Sequence, residues 1–162
     1  MDNKKEILNK RFKKLEKHYC ALQDYKQLID AMITQKDIYQ PDTFNALDVQ
    51  ERAVLDAYLK RFASVQDFLG AKIFAPLLEM AGISNGKMSE VLYLIEKEEI
   101  IDSLGNWIEL REIRNELEHD YPENLVEALQ DLKFCVDNFS TIESYYLNSL
   151  AFAKRYMNEV IK

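Results

Sequence analysis

A chain of 162 residues can bury a single core without disulfides or metals, and 48% hydrophobic with 30% charged residues places it among globular proteins. Four glycines and three prolines leave too little turn chemistry for a meander of strands, which excludes an all-β architecture and favours long helices. The formal net charge of -7 excludes bulk attraction to polyanions, so any contact with nucleic acid must be local.

The expected architecture is all-α: one domain over residues 1–162, an up-and-down bundle of about five helices. Over residues 4–34, Leu8, Phe12, Leu15, Tyr19, Leu22, Ile29 and Ile33 recur mostly in alternating steps of four and three, the pattern of one long amphipathic helix. Its first half is basic, because Lys4, Lys5, Lys10, Arg11, Lys13, Lys14 and Lys17 outnumber Asp2, Glu6 and Glu16. Such a run reads as a solvated helix face, with a phosphate-binding strip as the alternative. Residues 35–48 lose the period and contain Pro41 and Asn45, so they read as a loop ending on Asp48 as an N-cap.

A second helix is expected over 49–81, with Val54, Tyr58, Phe62, Val65, Leu69, Ile73, Leu77 and Leu78 in its apolar stripe. Pro76 should kink or restart it, since proline lacks a backbone donor and crowds the preceding turn. Gly82 then closes it before a turn over 83–87, and two shorter helices are expected over 88–101 and 104–120. Pro122 disfavours a helical backbone at Tyr121 but suits the first position of a helix, so a break with immediate restart is expected. Leu125, Leu129, Leu132, Val136, Phe139, Ile142, Tyr146, Leu150, Ala153, Met157 and Val160 then carry one last helix, expected beside the first and second. Cys20 and Cys135 sit among apolar neighbours and suggest buried thiols in a reducing compartment. With no signal-type segment and no run of about 18 apolar residues, the expectation is a cytoplasmic protein without a membrane span.

Chemistry concentrates in residues 111–122, where Arg111, Arg114, Asn115, His119 and Tyr121 fall just before Pro122. An imidazole with an ordinary pKa of about 6.5 can take a proton from a 2′-hydroxyl or give one to a leaving 5′-oxygen near neutrality. A guanidinium clamps a phosphate and steadies the charge that develops on its oxygens. Asn115 can orient the imidazole, and Tyr121 can bind phosphate or stack on a base. Together they suit metal-independent cleavage of RNA. On an ideal helix Asn115 and His119 share a face, as do Arg111 and Arg114, but Arg114 and His119 lie roughly 140° apart. Convergence needs a helix break that turns His119 back, an Arg114 side chain that wraps around, or a second subunit. The bland reading of Arg114 is a surface ion pair, with Glu116 and Glu118 as partners. The segment is also acid-rich, carrying Glu109, Glu112, Glu116, Glu118, Asp120, Glu123, Glu127 and Asp131. Glu116 and His119 also spell half of a di-iron bundle site, but the other histidine, His18, has Leu15 where a glutamate would be needed, so neither metal nor cofactor is expected.

The order Arg114-Asn115, three residues, His119, one residue, Tyr121 resembles the HEPN superfamily of small helical proteins, specifically its HepT-like branch, which includes nucleotidyltransferase substrate-binding proteins. Trp107 upstream and the run Arg61-Phe62-Ala63-Ser64-Val65-Gln66-Asp67-Phe68 extend the resemblance, which covers about residues 55–132. It implies a HEPN-like bundle, a homodimer with two motifs facing each other, and pairing with a minimal nucleotidyltransferase. In such toxin–antitoxin pairs, of the type VII kind, the HEPN subunit resembles a ribonuclease that cuts RNA, often tRNA. The nucleotidyltransferase neutralises it, in some systems by adenylylating the motif tyrosine, here Tyr121. The site implied is Arg114 and His119 as catalytic residues, with Asn115, Tyr121 and Arg111 supporting. The rival is a non-catalytic substrate-binding or regulatory subunit of the same nucleotidyltransferase.

Overall fold

The computed structural model describes residues 2–120 and 123–157, except the side chains of Asp2, His119 and Asp120. The apolar steps of the first segment build α1, Asp2–Gln35, whose Leu8, Phe12, Leu15, Tyr19, Leu22 and Ile29 are all buried. Ile33, counted with that stripe from its spacing, stays 38% exposed, and the last turn buries Met32 instead. The loop expected over 35–48 contains a single helical turn, α2 (Pro41–Asn45), started by proline at its first position and inserting Phe44 into the core.

Helix α3, Val49–Phe68, begins on Asp48 as the sequence predicts, and the cap is reciprocal. The Asp48 carboxylate accepts from the Glu51 N–H at 2.7 Å, and the Glu51 carboxylate accepts from the Asp48 N–H at 3.1 Å. α3 runs through a π turn, Leu69–Ile73, into α4, Phe74–Met80, as one rod. The π turn lies just ahead of Pro76. Proline cannot donate to the carbonyl of Lys72 four residues back, and Arg11 of α1 supplies the missing donor through Nη1 at 3.0 Å. Gly82, at φ +76°, ends the rod: its N–H bonds the Glu79 carbonyl and the Ile83 N–H bonds the Leu78 carbonyl, a Schellman closure.

α1 and α3 are antiparallel, since Arg11, His18 and Lys36 meet Lys72, Arg61 and Glu51 in descending order. α5 (Met88–Lys97) stops short of residue 101, because Glu99 takes φ 61° and the Ile100 N–H turns back to the Ile95 carbonyl. Glu-Glu-Ile-Ile offers no helix breaker, so nothing local in the sequence marks this end. α6 spans Leu104–Asp120.

The chain re-enters helix at α7, Leu125–Asp137, capped by the Asn124 side chain. Pro122, where the restart is expected from the sequence, lies outside the described residues. The single last helix expected from the periodicity is two helices. Asn138 donates from its side chain to the Phe134 carbonyl and accepts from the Thr141 hydroxyl, closing α7 and opening α8, Phe139–Lys154. The bend lays α8 antiparallel on α1, where the Tyr19 and Tyr146 rings stack at 4.2 Å and the Tyr19 hydroxyl donates to Glu143 at 2.5 Å. With α2 a single turn and α3 to α4 one rod, the described residues form a bundle of six helices instead of about five and contain no strand. No helix among them is long and apolar enough to cross a membrane.

Candidate functional site

The site is built where α6 crosses α3. Trp107, in the first turn of α6, is buried between Phe74 and Tyr145, with ring centroids 5.1 and 5.7 Å away. Gly70 of the π turn permits this approach, because a Cβ there would meet Trp107 Cζ2 at 3.2 Å. Two turns on, Arg114 is also buried, an unusual place for a guanidinium.

Among the described residues its charge is met from α3, not from its own helix. Arg114 Nε donates to Gln66 Oε1 at 3.0 Å, and Nη2 pairs with the Asp67 carboxylate. Gln66, 1% exposed, uses the other end of its amide to donate to the Trp107 carbonyl at 2.9 Å. A chain of hydrogen bonds therefore runs from Trp107 through Gln66 to Arg114 and fixes the guanidinium plane. Glu116 and Glu118, the partners suggested by sequence proximity, are exposed and do not make this ion pair. Spacing alone does not single out Gln66 and Asp67 as site residues; their signal is their place in the run from Arg61 to Phe68.

Arg114 lines an open cleft of about 700 Å³ between α3 and the pair α6 and α7. Leu55, Leu117, Leu129 and Leu132 give the cleft an apolar floor. Arg52, Lys60 and Arg114 contribute positive charge, and Asp56, Asp67 and Glu118 contribute an equal number of negative charges. A guanidinium carries five N–H donors, and among the described residues two of those of Arg114 are committed to α3. Behind the cleft wall, burial pushes the Cys135 thiol up to about 12, with the Asp131 charge adding to the rise and Arg114 opposing it. Cys20, expected to be buried as well, is exposed on α1.

The other sequence candidates separate. Arg111 and Asn115 are exposed, so Arg111 does not share the buried setting of Arg114 despite a spacing that puts both on one face. The His119 side chain and all of Tyr121 lie outside the described residues. The backbone nevertheless narrows how Arg114 and His119 could meet. α6 is unbroken through Asp120, so no helix break returns position 119 toward Arg114, and the Arg114 side chain reaches to α3 instead of winding around α6. Neither protein-family models, nor curated proteins, nor solved structures yield a match to this chain.

Proposed function

We propose that this chain is the toxin subunit of a HEPN-type pair, a metal-independent endoribonuclease that acts as a homodimer and is neutralised by a partner nucleotidyltransferase. The observation that carries the reading is the buried Arg114, held by Gln66 and Asp67 at the wall of an open cleft. A prealigned guanidinium stabilises charge developing on a phosphate without the cost of reorganising during reaction. His119 serves as the general acid–base group and Asn115 orients it. Tyr121 binds the phosphate or is the site of adenylylation by the partner. Because a continuous α6 separates positions 114 and 119 by roughly 140°, a complete site takes Arg114 from one protomer and His119 from the other.

The test is cleavage of a total tRNA pool by purified protein in EDTA, after mass spectrometry shows Tyr121 to be unmodified. Wild type should cut, whereas His119→Ala should fall by roughly 10²-fold or more. Arg114→Lys, which keeps the charge but loses the planar fork, should also be impaired. Equal rates for all three proteins refute the assignment.

A second reading is favoured by the cleft's balanced charges and apolar floor, which suit side chains of a protein partner better than a bare phosphate. In it, the dimer is a non-catalytic substrate-binding or regulatory subunit of the nucleotidyltransferase. A stable complex between the two proteins, with folded, dimeric, unmodified protein silent toward RNA, supports this version.

A further inference from the structure

The basic half of α1 is an outward strip in a protein of opposite overall charge. Lys10, Lys13, Lys14 and Lys17 are exposed, and the helical repeat places them within roughly 100° of one another, opposite the buried line Leu8, Phe12, Leu15 and Tyr19. Among the described residues none of the four makes an ion pair, whereas Lys26, Lys36, Arg114 and Lys133 each do. The nearby acids do not cancel them. Glu16 is half-buried toward α8, where burial first and the Glu16 charge second raise the Tyr146 hydroxyl, and Glu6 lies at the N-terminal end of the strip with no ion pair among the described residues.

Toward α3 the strip gains aromatic surface. Lys14 Nζ sits 6.0 Å from the Phe68 ring centroid, and the His18 ring is tilted against the same ring at 6.0 Å. Arg61 Nη1 lies 2.8 Å from His18 Nδ1, and since a guanidinium can only donate, that nitrogen accepts and the ring proton belongs on Nε2. The preceding residue of α3, Lys60, lines the cleft that contains Arg114. Cations therefore occur on the outer face of α1, beside it on α3 at Arg61, and at the cleft at Lys60, one position away along α3.

We propose that the surface of Lys10, Lys13, Lys14, Lys17, Arg61 and Phe68 is a binding track for single-stranded RNA, which holds the backbone while an adjoining nucleotide enters the cleft at Arg114. Lysines outside any ion pair meet phosphates by counterion release, and the half-buried Phe68 ring leaves an aromatic edge on which a base can rest regardless of sequence. The strip also answers the net charge of -7, because it confines attraction to one face. This rests on the reading of RNA as substrate, and its test separates the two.

The experiment measures anisotropy of a fluorescein-labelled, mixed-sequence oligoribonucleotide against salt, in the His119→Ala background so that the probe survives. One variant carries Lys→Gln at 10, 13, 14 and 17; a control carries Lys→Gln at 87, 97, 133 and 154, four exposed lysines elsewhere, giving the same net charge. With both variants as well folded as the parent, the strip variant should bind more than about tenfold more weakly near 0.1 M salt. Its slope of log K on log salt should shrink by roughly 0.7 for each phosphate that the removed lysines would have neutralised. The control should match the parent. Equal weakening in both variants, equal affinity of strip variant and parent, or binding to vesicles of anionic lipid but not to RNA would each overturn the track. Binding through the strip by a protein that never cleaves tRNA would refute the ribonuclease and leave the track standing.

Discussion

Replacing Gln66 with leucine should test the link between α3 and the candidate site. The volume is nearly conserved and the position is 1% exposed, so packing changes little and the hydrogen bonds dominate the outcome. Two buried partners lose Gln66: the Trp107 carbonyl and Arg114 Nε. The carbonyl lies inside α6 and keeps its helical environment, so the larger loss falls on the guanidinium. A hydrogen bond to a charged group contributes about 1.5–3 kcal/mol, and an unsatisfied buried donor costs a similar amount. Gln66→Leu should therefore destabilise by about 2–4 kcal/mol, or roughly 5–15 °C in Tm for a chain of this size. The Asp67 side chain is 62% exposed, so Asp67→Asn should cost no more than about 1 kcal/mol despite removing the ion pair. Urea denaturation followed by far-ultraviolet circular dichroism would show a lower midpoint at unchanged slope. The reasoning fails if Gln66→Leu costs less than about 0.5 kcal/mol, or if its cost is the same in an Arg114→Met background, where a shared interaction must show coupling.

Glu99 occupies a backbone conformation that glycine adopts freely, so Glu99→Gly should raise stability by about 1 kcal/mol in the same denaturation experiment. Arg11→Met should cost about 1 kcal/mol by stripping the Lys72 carbonyl of its donor, and should cost less in a Pro76→Ala background that restores a backbone N–H. Burial pulls the Asp102 carboxyl up, but hydrogen bonds from Tyr145, Asn106 and the Ser103 N–H outweigh it and leave it below the ordinary carboxylate value. A depressed folded value adds stability above the unfolded value of about 3.9 and loses it as pH falls through the folded value. Tyr145→Phe removes a 2.5 Å hydrogen bond to Asp102 and should hence destabilise more at pH 7 than in acid; a pH-independent difference would refute the linkage.

Local patterns carried much of the fold into view. The steps of three and four in α1, the Asp48 cap and the Gly82 closure depend on neighbours a few residues away, and periodicity and capping chemistry encode such neighbours directly. The ends of α5 and α7 were hidden for the opposite reason. Glu98 to Ile101 contains no breaker, and Asn138 interrupts an apolar stripe that keeps its period on both sides, so only the backbone path revealed these turns. The same division holds at the site. The spacing of Arg114, Asn115, His119 and Tyr121 is a property of the sequence by itself, as is the acidity around it. Which side chain is buried, and whom it bonds, was decided by the crossing of α3 and α6, which brings Gln66 within 3.0 Å of a residue 48 positions away. Helix periodicity assigns faces, but it contains no information on which faces meet. The partners of Arg114 were therefore settled by tertiary packing alone.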